Sequence, residues 1–582
     1  MPGHWEDIML SRLLRNDEPS VYVQAAWEDV ADEALPRPRL REGLGASHLK
    51  VSTRVPLAQA WFDQGLCLLH LGWGSEARRA FAEAARHDPE LAMAWWGLAL
   101  TRGPGARFAA ARSEAMARAL ALSEGLPDLE QRYIVAASLL SDKGPANGRH
   151  AFIREMESLI DRYPEDVEAK LLLAGFLVDG YEPDGRPGQG QPYAQAMLRD
   201  LMRTSPDHVG VHYAWVCATL PSSRPESAHE SALRLPKLAP GASPVLLASG
   251  RLLSRLGETD AAYRVLEAVV ETDDAYLAAE SLPASFAPCA ELAMRLLSQG
   301  CAEAGKYSDA QTWARRLRQR VESAGSEPQA LLFAASTLVS AHLRFGFCRA
   351  AADVPLELSG ELSAAERGLR DGMRLYTRGI NAMDAGRLSE VERACDALAL
   401  LHAPLSELRR AEGRQLCPRD VARVVEVAEQ ELRGALESRR GDGGRAEATL
   451  VRAWRMERRL RTAGPSAFSR PARETLARAR LRGEREQKAL ELARALVEER
   501  PACGHYRLLL AETHVAMGER VLAVQDFERF LERWRDADEH LPELRRARTY
   551  ISGRGRILRL VHTAEAPPPV PPDFRPLEKV SC

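Results

Sequence analysis

The sequence predicts an all-α fold, a right-handed superhelical solenoid of stacked helix-turn-helix repeats, and three observations carry the prediction. Residues 58–91, AQAWFDQGLCLLHLGWGSEARRAFAEAARHDPEL, set Trp61, Gly65, Leu68, Ala77, Phe81, Ala84 and Pro89 at fixed offsets within a frame of about 34 residues. Paired apolar segments at helical spacing recur from about 58 to 534, and no alternating strand pattern competes with them. The 582 residues, 45% hydrophobic and 27% charged, exceed a single compact core yet are too apolar for wholesale disorder. Each helical pair therefore buries its apolar face against its neighbours.

Taken in order, residues 1–57 read as a capping lead-in, and an N-terminal array follows over 58–270. Its second unit opens at AMAWWGLAL (92–100), with a partner helix at about 107–122 displaced by the insert TRGPGARF. A helical pair at about 129–178 is broken by YPED (163–166) ahead of the apolar run AKLLLAGFLVD. The Gly/Pro cluster DGYEPDGRPGQGQP (179–192) has no helical reading and is a loop insert. The frame resumes with Ala194 and Pro206, then Ala228 and Pro240, then Gly250, Gly257, Ala262 and Leu266. A middle array, 271–400, centres on Gly305, Tyr307 and Ala310 and on Gly379, Gly386 and Leu398. The C-terminal array, 401–534, runs through Gly434, Ala446 and Leu450 and through Ala489, Ala493 and Pro501 to Ala511, Gly518, Ala523 and Phe527. Irregular joints near 270–290 and 401–425 separate the arrays, a capping helix covers 535–560, and residues 561–582 form a proline-rich disordered tail.

The landmarks of 58–91 are those of the tetratricopeptide repeat. The order FDQGL (62–66), AFAEAARHDPE (80–90), AMAWWGLAL and GP resembles a bacterial group of such proteins whose activity is mostly unassigned. DGRPG (184–188), PDHVGVHY (206–213) and FERFLERWRDADEHLPEL (527–544) resemble the same group, which is matched over most of 44–320 and the last repeat. The resemblance implies histidines before the first repeat, within 206–217 and on the helix at 245–253. His48, His208 and His212 keep that pattern, whereas Tyr213, Cys217, Leu247 and Arg251 stand where relatives have histidine. A metal or catalytic site built on those histidines is therefore only partly retained, which weighs against an enzyme.

Acids and bases nearly balance to a net charge of -2, which makes nucleic acid an unlikely partner. The first residues, MPGHWEDIMLSRLLRNDEPS, carry acids where a signal peptide is basic, and no run of roughly 18 apolar residues follows. The expected location is the cytoplasm, with no membrane partner. Nine cysteines without a CxxC pair make neither a disulfide framework nor a zinc ribbon. Arginine outnumbers lysine and asparagine is scarce, as in a GC-rich bacterial genome.

Several local patterns carry chemistry in other contexts. GCAEAGKY (300–307) matches GxxxxGK, but Tyr307 stands where a P-loop needs Ser or Thr, and the context is a turn between helices. His208 and His212, four apart, with Cys217 and His48, form the metal candidates, although no HExxH or carboxylate partner accompanies them. DADEH (536–540) reads as the solvated end of the last repeat helix, and the RGD at 440–442 as a turn. Arginines are dense over 439–485, interleaved with Glu447, Glu457, Glu474, Glu484 and Glu486, and again at Arg545, Arg546, Arg548, Arg554, Arg556 and Arg559. The first region reads as charge-paired helix faces and the second as the better candidate for an anionic partner. No nucleophile elbow, kinase signature or dinucleotide fingerprint has its required context.

In such stacks helix A of each repeat lines the concave groove, mainly at its second, fifth, ninth and twelfth positions. The binding residues this selects are Phe62, Trp96, Tyr213, Arg251, Arg295 and Tyr376. The sequence thus predicts a scaffold or adaptor that holds a protein or peptide segment in its groove and needs no cofactor. The alternative is a metal-dependent or biosynthetic enzyme using His48, His208, His212 and Cys217, and a sensor domain detached from a signalling partner is a third reading.

Overall fold

The computed structural model describes residues 35–553 apart from 102–105, 143–144, 183–184, 288, 326–327, 359, 409–416 and 461–467. Most of the lead-in, the tail 561–582 and arginines 554, 556 and 559 lie outside the described residues. The protein is an all-α superhelical repeat, with no strand among the described residues. It divides at Leu296–Leu297 into two compact units, inside a helix where the sequence places no boundary.

Unit 1 holds α1 (Pro56–His70), α2 (Gly74–His87), α3 (Ala92–Thr101), α4 (Ala106–Leu122), α5 (Asp128–Asp142), α6 (Pro145–Arg162), α7 (Val167–Leu177), α8 (Gln191–Thr204), α9 (Val209–Thr219), α10 (His229–Leu238), α11 (Ser243–Leu256) and α12 (Thr259–Glu280). Odd-numbered helices are helix A of each pair and even-numbered ones helix B, and sequential helices pack on each other. The span 129–178 is three helices, not a pair. In YPED, Asp166 caps α7 by accepting from Ala169 N at 3.1 Å, while Tyr133 OH donates to its other oxygen at 2.9 Å. That cap satisfies a donor the helix start leaves open.

The repeat landmarks have a packing reason. The Phe81 ring on α2 is fully buried against Phe62, with centroids 5.6 Å apart, and meets Trp96 edge-on at 6.4 Å. A β-carbon on Gly65 would come within 2.7 Å of that ring, and one on Gly97 within 2.5 Å. Only glycine leaves the ring its place, so the small residue and the aromatic are one feature seen from two helices.

Unit 1 closes on itself. Arg79 on α2 reaches α12 with its guanidinium, which bonds Tyr276 OH at 3.3 Å and Glu280 at 3.3 Å besides Glu76 at 2.7 Å. Trp73 packs edge-on against Tyr276 at 5.1 Å, and the Arg41 guanidinium lies over both rings at 4.7 and 4.6 Å. First and last repeats meet, which makes the unit compact where an open solenoid is expected.

The helix α13 (Cys289–Glu303) crosses the unit boundary. Unit 2 continues with α14 (Tyr307–Ser323), α15 (Pro328–Arg344), α16 (Cys348–Ala352), α17 (Ala364–Asp384), α18 (Leu388–Glu407), α19 (Pro418–Arg439), α20 (Gly443–Leu460), α21 (Ala472–Arg482), α22 (Glu486–Glu499), α23 (Gly504–Ala516), α24 (Arg520–Arg533) and a closing α25 (Pro542–Ile551). A reciprocal capping box starts α17: Glu366 N donates to Ser363 Oγ and Ser363 N to Glu366 Oε2. Unit 2 is also drawn together end to end. Trp534 Nε1 donates to Glu303 O at 2.8 Å, and Asp538 N donates to Gly305 O at 3.1 Å. Asp538 in turn accepts from Ser308 N at 2.9 Å and from its hydroxyl at 3.0 Å. The acid run at 536–540 is therefore not merely solvated, because Asp538 caps α14. Gly305 has a left-handed φ of +78° in the α13–α14 turn, so GCAEAGKY is a repeat turn without the strand a phosphate loop requires.

Candidate functional site

The helix-A face of unit 1 carries an extended segment of the same chain. Residues 47–52 alternate strictly, with Ser47, Leu49 and Val51 buried and His48, Lys50 and Ser52 exposed, the period of an extended backbone. Leu44 is buried ahead of them, and the segment folds back along α1 before entering it.

Two glutamines of α1 grip its main chain. Gln59 accepts from Val51 N at 3.1 Å and donates to Leu49 O at 2.9 Å. Gln64 accepts from Arg41 N at 2.8 Å and donates to Arg39 O at 3.1 Å. A carboxamide is suited to this because its C=O and NH2 match the N–H and C=O of one extended chain. Helix A of two later repeats adds carboxylates. Glu130 of α5 accepts from Ser52 N at 3.1 Å and from its hydroxyl at 2.5 Å, and Glu168 of α7 accepts from His48 N at 3.2 Å. At the far end Gly241 N donates to Gly43 O at 2.8 Å and Arg41 Nη2 to Gly241 O at 3.2 Å.

A buried ionisable cluster underlies the segment. The Glu168 carboxylate lies between His70 Nε2 at 2.7 Å and His208 Nε2 at 3.3 Å, and all three side chains are largely enclosed. Burial alone raises the Glu168 pKa, but the two imidazoles outweigh it and hold the group at about 2. Burial pushes the neighbouring Cys67 thiol up to about 12, so it is not a thiolate nucleophile, and its Sγ lies 3.4 Å from Leu44 O. Ser47 Oγ is 3.5 Å from His208 Nε2. That nitrogen is also the one facing Glu168, and His208 Nδ1 is buried with no hydrogen-bond partner among the described residues. A serine triad needs serine and carboxylate on opposite nitrogens of the ring, so this arrangement relays no proton from Ser47.

The four metal candidates are not brought together. His48 is 65% exposed at its side chain and bonds Asp63 at 2.7 Å. His208 faces Glu168. His212 is buried the other way, with Nε2 donating to Pro206 O at 2.7 Å and Nδ1 on Ser231 Oγ at 2.9 Å. Cys217 is half-buried. Among the described residues no group of three or more His, Cys, Asp and Glu is arranged to hold a metal ion.

Of the six groove residues named from sequence, Phe62, Trp96 and Tyr376 are 0–1% exposed and Tyr213 is buried as well. Trp96 Nε1 donates to Tyr133 O at 3.1 Å, and Tyr376 OH donates to Glu431 at 2.5 Å. These aromatics pack between helices, which removes them from direct contact with a partner. Arg251 and Arg295 are half-exposed. The residues that do grip the segment, Gln59, Gln64, Glu130 and Glu168, are polar and escape a search for aromatic and arginine anchors. Gln59 alone had a signal, since it occupies the second position of the first repeat.

In unit 2 several arginines of the dense region are ion-paired, Arg480 with the interleaved Glu447 at 2.8 Å and Arg478 with the interleaved Glu474 at 3.1 Å, others with acids outside the region: Arg440 with Glu392 at 2.7 Å and Arg473 with Glu499 at 3.0 Å. In the terminal patch Arg546 pairs with Glu512 at 3.1 Å. Among the described residues no helix is long and apolar enough to cross a membrane.

No protein-family model matches the sequence, and no curated protein matches it. Solved structures that align with it include the human IFIT1 dimer with m7Gppp-AAAA, at 12% identity and a TM-score of 0.33 over 90% of this chain and 98% of that one. The P58(IPK) TPR domain aligns at 14% identity and a TM-score of 0.19 over 67% of this chain and 100% of that one. Yeast Tom70 aligns at 10% and 0.27 over 86% and 96%. Superpositions this loose carry no argument, and the chain's own helices show an all-α superhelical repeat.

Proposed function

We propose that this chain is a protein-binding scaffold whose unit 1 recognises the main chain of an extended segment. Residues 39–52 are the resident occupant, and a partner's segment competes with them. The carrying observation is that Gln59 and Gln64 each make a two-way contact with backbone groups, which any extended peptide presents. Apolar side chains at alternate positions, here Leu49 and Val51, supply the selectivity. Arg251 and Arg295 are the sequence-named residues left to meet a partner's side chains.

A tethered occupant has an effective concentration in the millimolar range, so a free peptide of the same sequence binds the intact chain poorly. Gly45 offers a way to release the occupant. It has a left-handed φ of +84°, and a β-carbon there would come within 2.4 Å of Val209 Cγ1. In the Gly45→Val full-length chain, a labelled peptide with the sequence of residues 35–55 is expected to bind in trans, with affinity lost on adding Gln59→Ala and Gln64→Ala. A Gly45→Val chain that keeps its helical circular dichroism yet takes up no peptide would overturn the assignment.

A further inference from the structure

Arg439, Arg470 and Arg482 are among the arginines of unit 2 that have no carboxylate within ion-pair distance among the described residues, although several of their neighbours do. Arg478 bridges Glu474 at 3.1 Å and Glu512 at 3.2 Å, and Arg344 pairs with the other oxygen of Glu474. Arg439 and Arg482 lie together at two helix ends, and the charges of Arg439 and Arg470 both reach Arg482. Arg482 Nε donates to Ser438 Oγ at 3.1 Å, which brings the last turn of α21 to the last turn of α19, beside Arg439. Arg470 leads into α21, where its N–H donates to Tyr376 OH at 3.0 Å and its Nη2 lies 3.4 Å from Cys348 Sγ.

Glu431 on α19 acts on Arg470 and Arg482 from a distance and pairs with neither. Both of its oxygens are taken by hydroxyls, Tyr376 OH at 2.5 Å and Thr475 Oγ1 at 2.6 Å, and burial raises its pKa, which favours the neutral form. Burial and the positive charges of Arg439, Arg478 and Arg470 draw Arg482 down to about 10, the mark of like charges crowded together. The C-termini of α19 and α21 contribute roughly half a negative charge each, which leaves the cluster positive. Arg482 is partly enclosed by its surroundings yet keeps exposed surface, as does Arg439, while Arg470 is half-buried.

We propose that Arg439, Arg470 and Arg482 form a docking site for an acidic peptide segment of a protein partner, whose carboxylates take the guanidinium groups that no acid among the described residues pairs with. Planar guanidinium forks match carboxylates in paired hydrogen bonds. A cluster of three charges on a chain of net charge -2 lacks the extended basic field that nucleic-acid backbones require. A peptide is also the ligand form that helix A faces hold in unit 1. The proposal deepens the scaffold reading but uses no residue of the unit 1 groove, so failure of one leaves the other standing.

The test is fluorescence anisotropy of the full-length chain with a labelled hexaglutamate peptide, beside hexaglutamine and a single-stranded DNA hexamer. Saturable hexaglutamate binding is expected, weakened about tenfold or more by Arg439→Gln with Arg482→Gln, a loss of about 1.4 kcal/mol. High salt should weaken it as well. Both substitutions are at exposed positions, so the variant folds. Equal affinity in the variant, no binding of hexaglutamate, or tighter binding of the DNA with the same loss in the variant would each overturn the proposal.

Discussion

Replacing Glu168 with alanine is expected to lower the stability of unit 1 by about 3–5 kcal/mol, because it removes a buried carboxylate from between two largely enclosed imidazoles. The same residue sets a pH dependence. Its folded pKa, about 2, lies below the ordinary carboxylate value of 4.5, so the unfolded chain takes up the proton first as the solution is acidified. Its stabilisation is therefore fully present above pH 4.5 and is lost as pH falls through about 2, a total of about 3 kcal/mol. Glu168→Gln keeps an acceptor for His48 N but carries no charge, and should flatten the acid limb of the urea-unfolding profile between those pH values. An unaltered acid limb in Glu168→Gln would show that the carboxylate is not ionised between the histidines.

Trp534→Ala is the substitution with the next largest expected effect, about 3–5 kcal/mol on unit 2. The indole is 1% exposed and packs against Phe530 at 4.7 Å and His505 at 4.9 Å between ring centroids. A β-carbon on Gly504 would come within 1.9 Å of it, and one on Gly305 within 2.5 Å, so two backbones already approach as closely as they can. Removing it leaves a cavity and breaks the hydrogen bond to Glu303 O that ties the last repeat to the turn after α13. Hydrogen exchange should accelerate over both α13–α14 and α24, with unit 1 unchanged. Faster exchange confined to α24 would mean that the end-to-end contact stabilises little.

The repeats were legible because their signals are local. Gly65, Phe81 and Gly97 lie within 33 residues of one another, and Gly441 of the RGD turn has the left-handed φ of +84° that a helix connection uses. The closure of each unit was not legible, since Arg79 meets Glu280 across 201 positions and Trp534 meets Glu303 across 231. Nothing in a repeat frame reports which distant repeat it will face. The site was half legible for a different reason. The fifth-position aromatics named as groove anchors fill gaps between helices, as Phe62 and Trp96 do. Glutamines and glutamates that bind main chain look, in sequence, like ordinary polar positions on a helix. The occupant itself, SHLKVS at 47–52, is an alternating run too short to register beside long helices.

Amide hydrogen exchange on the native full-length chain, read at Arg41, His48, Val51 and Ser52, tests the central claim most directly. Each of these N–H groups donates to a side chain of helix A: Gln64, Glu168, Gln59 and Glu130 in turn. All four are expected to exchange orders of magnitude more slowly than an unstructured peptide and to lose that protection together in Gly45→Val. Exchange at the unstructured rate while α1 remains protected would mean that unit 1 does not hold this segment, and would contradict the account.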